Sequence, residues 1–138
     1  MYQAYLAELL GRVYKGSFTA TDNAPETYAG LKSIGHMYVY AGASDQSIYG
    51  SSVSNHLFRA YHDSVHLSHN LTFSSKDEYQ VGLIQANDFA RYSSFAADMI
   101  YADVIGQVDY MGIHGCFPVN QIDFIEYYVK TKDLTKVF

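Results

Sequence analysis

Histidine recurs along one stretch of this chain, Asn55-His56-Leu57-Phe58-Arg59-Ala60-Tyr61-His62-Asp63-Ser64-Val65-His66-Leu67-Ser68-His69-Asn70, which holds four of the protein's six histidines. Wound as an α-helix at about 3.6 residues per turn, the stretch puts His62, His66 and His69 within roughly 60° of one another, and Asn55 and Arg59 prolong the stripe. Leu57, Phe58, Tyr61 and Val65 fall on the opposite arc. A polar helix face made of imidazoles, rather than of the usual Lys and Glu, is suited to metal binding, because neutral imidazole is a good nitrogen ligand near neutral pH.

Histidines four apart, such as His62 and His66, can turn two rings onto one ion, the spacing that HExxH enzymes use. Asp63 stands where that motif has its glutamate and is one methylene shorter, so base catalysis of the peptidase kind is not expected. His69 faces the same way but lies a turn beyond His66. The preferred third ligand is Glu78. Ser75-Lys76-Asp77-Glu78 matches a capping box that opens the next helix with Glu78 at N3, and a short loop after His69 would let that helix fold back toward the histidine pair. The expected set is therefore His62, His66 and Glu78 around a divalent metal, zinc, manganese or iron. Arg59, Asp63, His69 and Gln85 are the expected substrate-binding or supporting residues. Gln85 shares the face of Glu78, and Asp88 is placed to accept from a ligand histidine N–H. Arg59 meets an anionic substrate or pairs with Asp63, its i+4 neighbour.

The His62-Asp63 doublet resembles that of the HD-type phosphohydrolases, whose metal site joins an upstream His, a His-Asp doublet on a helix and a downstream Asp. His36 would be the upstream residue, and Asp98, Asp103 or Asp109 would close the set. His66 is similar to the extra histidine of the nucleotidase and cyclic-nucleotide phosphodiesterase members. The resemblance implies a metal-dependent hydrolase acting on a phosphate-containing or nucleotide-like substrate. Asn55, Phe58-Arg59, His62-Asp63, His66-Leu67 and Glu78 also resemble a pattern in small uncharacterised phage-encoded proteins. That likeness implies an accessory viral protein at work in the host cytoplasm.

The elements that must position these residues are read from periodicity. Apolar positions predict helices over 2–14, 55–69, 75–111 and 119–131, the second capped by Ser54 or Asn55 and the last started by Pro118. Phe58, Tyr61 and Val65 are expected to seat the histidine helix on the long one. Residues 17–32 read as loop with a short helical turn after Pro25, and 34–41 as an irregular or short β-like strip with no evident partner strand. The fold class expected is mainly α, a helical bundle forming one domain over 1–138.

With 138 residues, a net charge of −5 and nine Lys and Arg in all, the chain is not expected to bind nucleic acid non-specifically. No apolar run is long enough to span a bilayer, and the N-terminus does not read as a signal peptide, so a soluble, cytoplasmic protein is expected. The single Cys116 excludes an internal disulfide, and it is expected to be buried and inert. Fourteen Tyr, eight Phe and no Trp favour a surface that binds a partner or another copy. A non-enzymatic interaction protein or homo-oligomer with structural histidines is thus the alternative to a metal-dependent hydrolase.

Overall fold

The computed structural model describes residues 2–138, and its contacts divide the chain into one compact unit ending at Phe73 and another running from Ser74 to Phe138. The architecture is mainly α, as expected, with a single two-stranded sheet among the described residues.

The first unit is built from α1 (Tyr2–Val13), β1 (Thr19–Thr21), α2 (Tyr28–Ser33), β2 (Tyr38–Tyr40) and α3 (Ser52–His69). Leu6, Leu9 and Leu10 recur at helical spacing, which makes α1 amphipathic, and all three are buried. Each contributes about 1.5–3 kcal/mol relative to an exposed side chain. The strip near 34–41 does have a partner. β2 pairs in parallel with β1, Thr19 opposite Tyr38 and Thr21 opposite Tyr40, inside the segment read from sequence as loop. Three-residue strands of which one, Thr-Ala-Thr, is barely apolar leave no alternating pattern to detect. Thr27 caps the short α2 by accepting from the Gly30 amide (3.0 Å), close to the turn expected after Pro25.

α3 starts three residues before its expected first residue. Its N-cap is Ser51, whose Oγ accepts from the Ser54 amide (3.1 Å), and not Ser54 or Asn55. The helix packs on α1 and β2. Within this unit Phe58 stacks on Tyr49 (4.6 Å between centroids), and the Tyr61 ring lies tilted against Tyr14 (6.4 Å).

In the second unit the long helix expected over 75–111 is broken into α4 (Ser75–Ala90), α5 (Ser94–Tyr101), a π-helical turn (Ala102–Gly106) and α6 (Gln107–His114). Neither Gly nor Pro makes the first break. Ser93 turns out of helical conformation and its side chain accepts from the Ala96 amide (3.2 Å), the local competition with the helix ladder that serine favours. The unusually wide apolar face then has a simple origin, since α5 packs back on α4. α7 (Gln121–Thr131) is capped by Asn120, which accepts from the Asp123 amide (3.1 Å), so the helix begins after the expected Pro118. Beyond it, Phe138 packs on Phe124 and Tyr127, and its amide donates to the Tyr110 hydroxyl (2.9 Å). Cys116 is exposed, against expectation, because it lies in the turn after α6 and not on an apolar helix face.

A Cβ at Gly82 of α4 would sit 2.5 Å from Cγ1 of Ile105, a fully buried residue that cannot swing aside, so Gly82→Ala should destabilise by about 1–3 kcal/mol in chemical denaturation. Gly112→Ala, with nothing within 4 Å of its Cβ, should instead be neutral or stabilise by up to about 1 kcal/mol. Asp133 accepts from the Tyr127 hydroxyl (2.5 Å) and from the amide and hydroxyl of Thr135, which hold its carboxyl down at about 2. A depressed carboxyl pKa favours the folded state above the ordinary carboxylate range, and that contribution is lost as pH falls toward 2. NMR titration of Tyr127→Phe should find Asp133 moved up toward its ordinary value.

Candidate metal centre

The centre forms where α3 ends. Asn70 adopts the left-handed conformation (φ 53°, ψ 43°) and turns the chain back over the last helical turn, so that the Leu71 amide donates to the His66 carbonyl (2.9 Å). The same turn brings the Leu71 carbonyl to the His66 ring, 2.8 Å from Nδ1. A carbonyl can only accept, so the ring proton sits on Nδ1 and the Nε2 lone pair points outward. His66 is completely buried, with Phe73 edge-on against it (4.9 Å). Ligand histidines are characteristically held in this way, by a carbonyl on the far nitrogen and an apolar wall.

His62, one turn earlier, is half-buried and turns its own Nε2 to within 3.2 Å of the His66 Nε2. Two nitrogens bound to one tetrahedral ion at about 2.0–2.1 Å lie roughly 3.3 Å apart. The same 3.2 Å is a hydrogen bond in which His62 Nε2–H donates to the His66 Nε2 lone pair, and an ion bound by both rings would take the place of that proton. Phe58, expected on the opposite arc, is one turn before His62, so it shares that face and stacks on the His62 ring (5.7 Å).

Glu78 sits in the first turn of α4, and its position there differs from the expectation. The helix N-cap is Ser74, which accepts from the Asp77 amide (3.2 Å), so Asp77 and not Glu78 occupies N3. The one-residue shift takes Glu78 out of the capping box. Among the described residues, one group of His, Cys, Asp and Glu side chains is placed to hold a metal ion, namely His62, His66 and Glu78, each offering a ligand atom within 4.8 Å of the others.

The other expected residues have different surroundings. Arg59 Nη1 donates to the carbonyls of Tyr40 (2.5 Å) and Gly42 (2.7 Å), and Nη2 to that of Ala43 (3.0 Å). His56 reaches the Ala41 carbonyl and the Ser44 hydroxyl (both 3.1 Å), and buried Asn55 donates to the Ser44 carbonyl (3.4 Å). The N-terminal half of the polar stripe therefore secures residues 40–44, while the C-terminal half builds the metal group. His69 is exposed on the last turn. Asp63 is half-buried, and its charge is felt at Tyr14, whose phenol is pushed up first by burial and then by that carboxylate. Gln85 is fully buried in α4. Asp88 faces Arg91 (3.6 Å), and the acceptor for the ligand N–H is instead the Leu71 carbonyl, a role that sequence reasoning assigned to a side chain. The left-handed Asn70 was its one legible signal.

His36, the upstream residue of the phosphohydrolase comparison, lies within 2.8 Å of the Thr19 hydroxyl through Nε2. Asp103 accepts from Gln107 (2.8 Å), and Asp109 is half-buried, its carboxyl pushed up by burial. Neither these residues, Asp98 nor Asp63 belongs to the metal-capable group. Comparison with family models, curated proteins and solved structures found no match to this chain. No helix among the described residues is long and apolar enough to cross a membrane.

With Asp63 outside the group, Asp63→Asn should change metal affinity by less than the roughly tenfold that loss of an orienting partner costs. Competition titration against a chromophoric chelator measures this directly. A loss of binding as large as that of a ligand variant would return the His-Asp doublet to the centre.

Proposed function

We propose that this protein binds one divalent metal ion through His62, His66 and Glu78, and that it is a metal-dependent hydrolase. The observation that carries the reading is the 3.2 Å separation of the two Nε2 atoms, with the His66 tautomer set by the Leu71 carbonyl. Two histidines and one carboxylate suit zinc, manganese or iron and leave a coordination position for water or substrate. A divalent ion held by these residues would lower the pKa of a coordinated water to about 7 and would supply positive charge to a developing oxyanion.

A phosphate-containing or nucleotide-like substrate fits this chemistry when the ion itself meets the phosphate, since the Nη atoms of Arg59 already serve three backbone carbonyls. The histidine stripe and Glu78 are also the residues behind the resemblance to phage-encoded proteins, and an accessory phage protein acting in the host cytoplasm is part of the same reading. The alternative, a non-enzymatic interaction protein or homo-oligomer, has one observation in its favour. Met111, Ile113, Phe117 and Val119 are all exposed along a single short segment, with Val119 at 93%.

Metal analysis separates the two. Protein purified without chelator should carry zinc, manganese or iron at one ion per chain, and His62→Ala should weaken binding by at least about a hundredfold, beyond what loss of a supporting residue costs. Glu78→Gln should weaken it while leaving the fold intact by circular dichroism. The metal-loaded protein should hydrolyse p-nitrophenyl phosphate esters, and chelation should abolish the activity. A chain that takes up no metal, yet keeps its fold when His62 is replaced, would favour the interaction protein.

A further inference from the structure

A cavity of about 640 Å³ opens beside His62 within the first unit, between the loop at 22–26, β2 and α3. Its lining is unlike that of a phosphate site. The carboxylates of Asp22, Glu26 and Asp63 face it together with a single guanidinium, that of Arg59, so the wall carries two net negative charges at neutral pH. The apolar part includes the rings of Tyr40, Phe58 and Phe73. Arg59 is held to one edge by its bonds to the Tyr40, Gly42 and Ala43 carbonyls, with its Cζ 5.7 Å from the centroid of the Tyr40 ring. An anion entering the cavity would be repelled by three carboxylates. A cation would be attracted by them, and an apolar stem would be sheltered by the rings.

We propose that this cavity binds an organic ammonium group carried on an apolar stem. The aromatic walls accommodate the stem, and the carboxylates of Asp22, Glu26 and Asp63 recognise the charge. His62 is both a wall of the cavity and the outer residue of the metal group. On the metal reading, and only for this last step, the cavity holds the non-reacting, cationic end of a molecule whose hydrolysable bond lies at the ion. The substrate class is then an ester, phosphate ester or amide bearing an amine.

The test uses the full chain, first freed of metal by chelation, and three probes of similar size: benzylamine, benzyl alcohol and benzyl phosphate. Calorimetry or NMR titration at low salt should find benzylamine bound about fivefold more tightly than benzyl alcohol, the upper scale of one partly exposed ion pair. Benzyl phosphate should bind least. Replacing Asp22 by Asn and Glu26 by Gln, both exposed residues, should remove most of the benzylamine preference without unfolding the chain. N-acetyl-lysine amide distinguishes a free amine from the side chain of a polypeptide, and its tighter binding would support the same chemistry from a protein source. Equal or tighter binding of benzyl phosphate, or a benzylamine affinity unchanged in the double variant, would overturn the proposal. Zinc uptake measured on the same samples keeps the two readings apart. Benzylamine binding without zinc uptake upholds the cavity and removes the metal centre, and zinc uptake without benzylamine binding does the reverse.

Discussion

The hydrogen bond from His66 Nδ1 to the Leu71 carbonyl depends on the chain reversing direction immediately after α3, which the left-handed Asn70 accomplishes. One turn thus performs two tasks. It closes the helix by satisfying the His66 carbonyl, and it fixes the His66 ring by accepting its proton. Burying an imidazole completely is costly unless its polar atoms are paired, so this bond is also what allows a histidine to occupy the floor of the site. The orientation of Nε2, its spacing from His62 and the packing of Phe73 all follow from a ring that can neither flip nor withdraw.

The polar stripe of α3 divides by what faces it. β2 is only three residues long, and the chain from Tyr40 to Ser44 runs on without a sheet partner for its carbonyls. Asn55 and His56 supply donors to the carbonyls of buried Ser44 and half-buried Ala41, and Arg59 to those of half-buried Gly42 and exposed Tyr40 and Ala43. Past Arg59 the stripe no longer meets these carbonyls, and the rings of His62 and His66 turn toward each other. A single amphipathic face therefore serves first as scaffold and then carries the two histidines of the metal-capable group. The same division explains why the cation expected to greet a phosphate stands instead at the edge of a cavity that is acidic on balance.

The second unit shows the limit of periodicity from another side. Apolar residues recur from Val81 to Val104 without a Gly-Pro stop, which reads as one wide-faced helix, yet Ser93 caps a new helix and α5 turns back on α4. Two helices that bury against each other produce the same apolar record as one helix buried on most sides. The π-helical turn at Ala102–Gly106 is equally silent in sequence, because an extra residue per turn leaves composition unchanged.

The mainly α character, the terminal helices to within a residue or two, and the His62–His66 pairing were all determined locally, by repeats of three and four residues that place side chains on one helix face whatever that face later meets. The capping role expected of Glu78 depended on whether Ser74 or Ser75 ended the turn, a difference of one residue that a run of two serines cannot decide. The Thr19–Thr21 partner strand and the carbonyls that occupy Arg59 were decided by tertiary structure alone, whereas the Leu71 acceptor lies five residues from His66 in the turn that Asn70 makes. Each depends on a backbone group, and backbone groups are the same in every residue. Only the fold determines which of them are left facing a side chain.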